Sequence, residues 1–324
     1  MHAIVQPRYG SPDVLKLQTL DKPAPKDNEV LVKVHAAAVN AGDWHLLRGT
    51  PVVMRLMFGL TKPKYPVLGS DMAGRVVSVG AAVSNFAVGD EVMADLSDDG
   101  LGSFAEYVTV PETALVAKPK NVSFEQAASV PVAAITGLQA LRDHGNIQAG
   151  QKVLVTGASG GVGSFAVQLA KNFGAHVTAV CSTSKVDMVR TLGADEVIDY
   201  KQDDFTKMGE HYDLIIDAAA YRPLAEVKLA LSSTGKYVLV GGSSQRLFQT
   251  MLLGPLMSKK GGQTFTTMLA KANTRDLQVI ADMLEQGKLN PVIDKRYPLS
   301  EVPEAIAYVE EGRARGKVII TVSD

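Results

Sequence analysis

A doubly wound parallel α/β sheet joined to a second, β-rich domain is the fold class this sequence predicts, and three observations predict it. The first is a short apolar, β-branched run, Lys152–Thr156, followed at once by Gly157, Gly160, Gly161 and Gly163 and then by a helical stretch, Ser164–Phe173. The second is the regular alternation of strand-like and helical segments through the centre of the chain. The third is an N-terminal portion in which strand-like runs are separated by Gly, Pro and Asp-Asn turns, with little helix between them.

Taken in order, Ala3–Gln6, Val30–Ala37, Asp71–Val79, Glu91–Ala94 and Ala105–Val110 read as strands. Phe124–Ser129 and Ile135–Asp143 read as helices. Strands then fall at Lys152–Thr156, Val177–Ser182, Glu196–Tyr200, Tyr212–Ala218, Lys236–Val240 and Gln263–Thr267, with connecting helices implied between them. A helix over Arg275–Gly287 and a strand-like tail over Lys317–Val322 close the chain, and the tail is expected to return to the N-terminal domain. The domain boundaries read from this pattern are 1–124 with 268–324, and 125–267.

At 324 residues the chain is long for one hydrophobic core, so two domains are expected. With 46% hydrophobic and 21% charged residues it has a globular composition, and a net charge of −1 without a basic block implies no nucleic-acid partner. No apolar run is long enough to span a bilayer, and Met1–Tyr9 lacks the plan of a secretory signal. The single cysteine, Cys181, excludes a disulfide within the chain and suits a reducing cytoplasm; at a strand end it reads as a buried structural thiol.

The strand, glycine turn and helix at 152–173 form a site for a nucleotide pyrophosphate. Glycines allow a tight turn and close backbone approach, and a helix N-terminus offers free N–H groups and a positive dipole end. Gly157, Ser159, Gly160, Gly161, Val162 and Gly163 are therefore the expected cofactor contacts. NAD-binding versions carry a carboxylate about twenty residues further on, against the ribose hydroxyls. Here Ser182, Thr183, Ser184 and Lys185 follow the second strand, and no acid precedes Asp187. Hydroxyls with one lysine suit a 2′-phosphate, which favours NADPH, although the same hydroxyls can equally cap the following helix.

Five local sequences carry a family resemblance: Asn40-Ala-Gly-Asp43-Trp-His-Leu-Leu-Arg48-Gly49, Pro66-Val-Leu-Gly69-Ser-Asp71-Met-Ala-Gly74, Val88-Gly89-Asp90-Glu-Val92, Gly102-Ser-Phe-Ala-Glu106-Tyr107 and Gly157–Gly163. In this order they resemble landmarks of the medium-chain dehydrogenase/reductase superfamily, from about Met1 to Asp324, in its zinc-free, zeta-crystallin-like quinone oxidoreductase branch. The resemblance implies a Rossmann domain and a GroES-like catalytic domain. It also implies that Thr136 packs against the nicotinamide, that Lys185 and Tyr200 grip the adenosine 2′-phosphate, and that Gly241, Gly242 and Ser243 meet the nicotinamide end. A core threonine, a solvated lysine, a strand-end tyrosine and an ordinary glycine turn are the plainer uses of these residues.

Zinc-dependent relatives hold a catalytic zinc with cysteine and histidine, and at the matching positions this chain has Asn40, Ser70 with Asp71, and Ala133–Ala134. No two of its histidines stand at a ligand-pair spacing, so no metal is expected. Alcohol oxidation without zinc loses its Lewis acid, whereas hydride transfer to a conjugated acceptor needs only hydrogen-bond donors for the oxygen that gains charge. Asn40 can donate such a bond. Asp43, a carboxylate, can only accept, and so positions a ribose hydroxyl or Asn40; a turn or cap is the other use of both residues.

The apolar loop Pro51–Leu60 offers Met54, Met57 and Phe58 as an adaptable wall for a flat substrate, or as plain packing, and Tyr65 is a candidate proton donor. The reading is thus an NADPH-dependent, zinc-independent reductase of quinones or α,β-unsaturated carbonyls, working in the cleft expected between its domains. An enoyl thioester reductase with a basic entrance at Arg48, Arg55, Lys62 and Lys64, and a non-catalytic NADPH-binding sensor, are the alternatives. A homodimer is expected through the outer strand Gln263–Thr267, beside the apolar run Met251–Met257.

Overall fold

The computed structural model describes residues 1–242, 244–258 and 262–322. Its strands, in chain order, are β1 (His2–Val5), β2 (Lys16–Thr19), β3 (Glu29–Val39), β4 (Asp71–Val79), β5 (Glu91–Asp95), β6 (Tyr107–Pro111), β7 (Leu115–Ala117), β8 (Lys152–Thr156), β9 (His176–Cys181), β10 (Glu196–Asp199), β11 (Tyr212–Asp217), β12 (Leu231–Leu239), β13 (Thr264–Thr267), β14 (Ile293–Pro298) and β15 (Lys317–Thr321). Two compact units result. One comprises Met1–Ile135, Lys271–Gly287 and Pro291–Asp324, and the other Thr136–Ala270 and Lys288–Asn290.

In the first unit a seven-stranded sheet runs β14-β15-β3-β4-β5-β7, with β6 paired to β3; β1 and β2 form a separate hairpin. Val30, Val32 and Val34 of β3 point inward with Met72 and Val76 of β4 and Val92 of β5, the period-two pattern of a strand with one face on a core. The tail does return: β15 pairs antiparallel with β3, setting Val318 opposite Val39. On the far side of β3, Ala38 lies opposite Asp71, and Asp71 lies opposite Asp95 of β5. These registers bring the start of β15, the end of β3 and the start of β4 to one end of the sheet.

The second unit holds a six-stranded, all-parallel sheet in the order β10-β9-β8-β11-β12-β13. Val153, Leu154 and Val155 of β8 and Leu214, Ile215 and Ile216 of β11 are fully buried, as strands covered on both faces require. Strand order reverses between β8 and β11, and the crevice at such a point, at the strands' C-terminal ends, is where doubly wound sheets bind ligands.

The division at Ile135/Thr136 falls later than the 124/125 boundary read from the sequence. The reason is the helix Phe124–Ala128, whose Ala127 and Ala128 pack into the first unit's core with Ala36, Ala38 and Ala73. Residues 288–290 join the second unit because the Gln168 side chain clasps the Asn290 backbone, donating to its carbonyl at 3.1 Å and accepting from its N–H at 2.8 Å. The helix expected over 135–143 begins at Pro131, and its last turn, Ala140–His144, is π-helical. The helix Ser244–Met257 extends well before the apolar run Met251–Met257; Leu252 and Leu256 on it are 72% and 82% exposed. No helix among the described residues is long and apolar enough to cross a membrane.

Candidate active site and nucleotide turn

In the second unit, β8 ends at Thr156 and the chain turns through Gly157, whose φ of +61° lies in the left-handed region that favours glycine. Gly160 precedes the helix Gly161–Asn172 in extended conformation, with no side-chain cap on the helix N-terminus. A Cβ on Gly163 would lie 2.1 Å from the Gly157 carbonyl oxygen, so only glycine lets the helix sit directly on the turn. Ser159 and Gly163 are buried, while Gly160, Gly161 and Val162 are part-exposed around the uncapped helix end. A backbone-lined turn against unclaimed helix donors fits a pyrophosphate.

This turn has a support that no local sequence motif marks. Asp217, at the end of β11 and 2% exposed, accepts hydrogen bonds from the Thr156 and Tyr237 hydroxyls and from the N–H groups of Ala219 (3.2 Å) and Ala220 (2.7 Å). Ala220 is thereby held at φ +50°, and a Cβ on Gly242 would come within 2.4 Å of its methyl group. Burial, with the Asp217 charge beside it, pushes the Tyr237 hydroxyl far above its ordinary range. The signal was a carboxylate closing an otherwise apolar strand. Gly241 and Gly242 form an exposed turn after β12, and Thr136 is buried at the start of the unit; Ser243 lies outside the described residues.

At the β9 end the structure alters the expected picture. Between the end of β9 and Asp187 the sequence has no acid, but the parallel pairing of β10 with β9 sets Asp199 opposite Cys181. Asp199 accepts from the Thr183 hydroxyl, the Lys201 N–H (3.0 Å) and Gln202 Nε2 (2.9 Å), and these bonds hold its carboxyl below the usual range, the Thr183 bond foremost. Thr183 is thus engaged by a carboxylate. Ser182 starts the short turn Thr183–Lys185 without a side-chain capping bond. Tyr200, 44% exposed, packs its ring 5.5 Å from that of Tyr221. Cys181 is buried, and desolvation, then the Asp199 charge, pushes its thiol up to about 11, which suits a structural thiol and not a nucleophile.

The first unit assembles a polar cluster at the sheet end described above. Asp43 accepts the backbone N–H of Asn40 at 2.7 Å, capping the helix Ala41–Arg48 as its sequence position suggested. The Asn40 side chain does not cap. Its Oδ1 accepts from Lys317 Nζ at 2.5 Å, and its Nδ2 donates to Asp71 Oδ2 at 2.9 Å and faces Ser70 Oγ at 3.4 Å. Lys317 also donates to Asp71 Oδ2 at 2.8 Å, and the backbone N–H of Val132 fills Asp71 Oδ1 at 2.8 Å. Asp43, Asp71 and Lys317 are 1%, 0% and 3% exposed. Desolvation, reinforced by the Asp71 charge, lifts the Asp43 carboxyl to about 7, and the same causes lift Asp95 to about 6. The sequence pattern marks Lys317 only as the start of a tail strand, and its buried partners come from the sheet.

The apolar loop is pinned at its base. Tyr9 donates its hydroxyl to the Phe58 and Gly59 carbonyls at 3.0 and 2.6 Å, and Arg55 lies over the Tyr9 ring while donating to Gly49 O. Phe58 and Tyr65 face a small cavity shared with Gln6, Tyr9, Leu68 and Leu101. Met54 is half-buried and Met57 is 73% exposed, and of the three expected wall residues only Phe58 lines this cavity. The basic entrance is also reduced: Arg48 forms a two-pronged ion pair with Glu310, and Arg55 is spent on the loop, leaving Lys62 and Lys64 exposed.

An all-parallel sheet with a glycine turn in one unit, and a buried polar cluster on the largely antiparallel sheet of the other, are the features of an oxidoreductase that uses a nicotinamide nucleotide. Comparison with known proteins agrees. The alcohol dehydrogenase GroES-like domain family matches residues 26–120, and the zinc-binding dehydrogenase family matches residues 192–320. The chain is 36% identical to the chloroplast envelope quinone oxidoreductase homolog of Arabidopsis thaliana, over 99% of this chain and 98% of that protein. It is 37% identical to the NADPH-dependent alkenal/one oxidoreductase, chloroplastic, of the same plant, over 99% of this chain and 79% of that one. The structure of the quinone oxidoreductase from Coxiella burnetii superposes with a TM-score of 0.87 at 31% identity, covering 100% and 99% of the two chains. The chain belongs to the medium-chain dehydrogenase/reductase superfamily, in its quinone oxidoreductase branch.

The second family's description names zinc, and the residues here do not fit that ion. At the positions the resemblance assigns to the metal stand an amide, a hydroxyl, a carboxylate already paired with a buried ammonium, and two alanines that offer no ligand atom. Among the described residues no group of three histidine, cysteine or acidic side chains converges to hold a metal.

Proposed function

We propose that this protein is a zinc-independent, NADPH-dependent reductase that delivers hydride to quinones or α,β-unsaturated carbonyls. The observation that carries the reading is the Asn40 amide, which presents an N–H held by only a long contact with Ser70 where a metal-ligating side chain would otherwise stand. NADPH supplies the hydride. Gly157–Gly163 hold its pyrophosphate, Lys185 and Ser182 its 2′-phosphate, and Thr136 with Gly241 and Gly242 its nicotinamide end. As the acceptor carbon gains hydride, charge moves to the conjugated oxygen, and Asn40 Nδ2 donates to that oxygen as its charge grows. Asp43 fixes the backbone from which Asn40 projects. Tyr65 stands as the proton donor, and Phe58 as an apolar wall beside it.

The names of the Arabidopsis relatives, a quinone oxidoreductase homolog and an alkenal/one oxidoreductase, support this substrate class. The engagement of Arg48 and Arg55 leaves little of the basic entrance a coenzyme A thioester would use. A turnover screen of chelator-dialysed enzyme with 1,4-benzoquinone, 9,10-phenanthrenequinone, a short enone and crotonyl-CoA tests the reading. Turnover of a quinone or the enone is expected. Preference for crotonyl-CoA, activity lost on chelation, or no turnover at all would each reject it. In the active enzyme Asn40→Ala should lower kcat by up to the 10²–10³ of a single oxyanion donor, and Asn40→Asp should be worse.

A further inference from the structure

We propose that Lys317 and Asp71 are positioning residues that fix which end of the Asn40 amide faces substrate. The inference rests on the role just given to Asn40.

An asparagine amide has a carbonyl end and an NH2 end of nearly equal shape, so its orientation is decided by its neighbours. Lys317 has donors only, and its ammonium is 2.5 Å from one end of the amide, which must therefore be the carbonyl oxygen. Asp71 has acceptors only when ionised, and its Oδ2 takes the other end at 2.9 Å. The two charged groups are themselves joined at 2.8 Å, and Asp71 is held from behind by the Val132 N–H at 2.8 Å. Every polar contact of the pair thus agrees on one orientation. One Nδ2 hydrogen is committed to Asp71, and the other meets only Ser70 Oγ at 3.4 Å, a contact that a substrate oxygen can replace.

Stability does not account for this arrangement. Lys317 is 3% exposed and Asp71 is fully buried, and a buried ion pair is often no more stabilising than apolar side chains of the same volume. Removing the ammonium would free the amide to rotate and present its carbonyl oxygen, a second negative dipole end, to the oxygen that must receive charge. The three residues meet because β15, β3 and β4 are consecutive in the sheet, so the device is set by strand register.

The test uses the double substitution Lys317→Met/Asp71→Asn, which removes both charges together and so leaves no unpaired buried ion. Quinone reduction is measured per NADPH-binding site, in the wild-type and Asn40→Ala backgrounds. In the wild-type background kcat should fall by about tenfold, the worth of one hydrogen bond, while the quinone KM and the NADPH Kd stay within about twofold. In the Asn40→Ala background the double substitution should add no loss. An unchanged kcat per site, or an equal fall in both backgrounds, overturns the positioning role alone. A wild-type kcat for Asn40→Ala itself would overturn the role of Asn40, and this inference with it.

Discussion

Tyr237 donates its hydroxyl to Asp217 at 2.8 Å, across neighbouring strands in the interior of the nucleotide unit. Asp217 also holds the Ala219 and Ala220 N–H groups that shape the loop beside Gly157. The bond therefore ties sheet stability to the shape of the glycine turn. Tyr237→Phe should destabilise the protein by about 1.5–3 kcal/mol, as for a hydrogen bond to a charged group, and weaken NADPH binding modestly. Asp217→Ala should cost more, because four donors lose their acceptor. Thermal melts with and without NADPH check both; a Tyr237→Phe melting temperature equal to wild type would contradict the account.

Cofactor preference provides a second prediction. Lys185→Ala should weaken NADPH binding by about ten- to a hundredfold, the worth of a charge-assisted contact to phosphate, and leave NADH almost unaffected. Asp199 sharpens the test, since it brings a carboxylate to the same region through Thr183. Asp199→Asn should therefore favour NADPH slightly. Calorimetric titration with each cofactor decides, and equal losses for both in Lys185→Ala would assign the lysine to the fold.

The raised Asp43 carboxyl fixes the sign of a pH effect. Its folded value of about 7 stands above the ordinary 3.8, so the stability it contributes is complete below about pH 3.8 and is lost as pH rises to about 7. Asp43→Asn keeps one oxygen for the Asn40 N–H and removes the ionisation. The stability of this variant relative to wild type should thus climb by a few kcal/mol, to order of magnitude, between pH 4 and 7, then level off. Denaturant melts across that range would refute the assignment if the difference were flat or fell.

Association makes the fourth prediction. β13 is the outer strand of the parallel sheet, and the helix Ser244–Met257 beside it exposes Met251, Leu252 and Leu256. An open strand edge with an apolar neighbour favours pairing with a second copy. Light scattering at micromolar concentration should give a dimer mass, and Leu252→Lys/Leu256→Lys should shift it toward the monomer. A wild-type monomer would reject the dimer.

What the sequence determined by itself was local. The β8 strand, the Gly157–Gly163 turn and the following helix are contiguous, and each constraint on them, buried strand, positive φ, close approach, is met within a few residues. The same holds for Asp43 capping Asn40 three positions earlier. Tertiary structure decided what happens across strands. Lys317 and Asp71 lie 246 positions apart and meet only because β15 and β4 flank β3 in register. A lone lysine before an apolar strand has no local signal that separates a solvated end from a buried partner. Asp199 reached Thr183, and Tyr237 reached Asp217, by the same route: pairing between strands, whose free energy depends on the whole sheet and leaves no period or spacing in the chain to read.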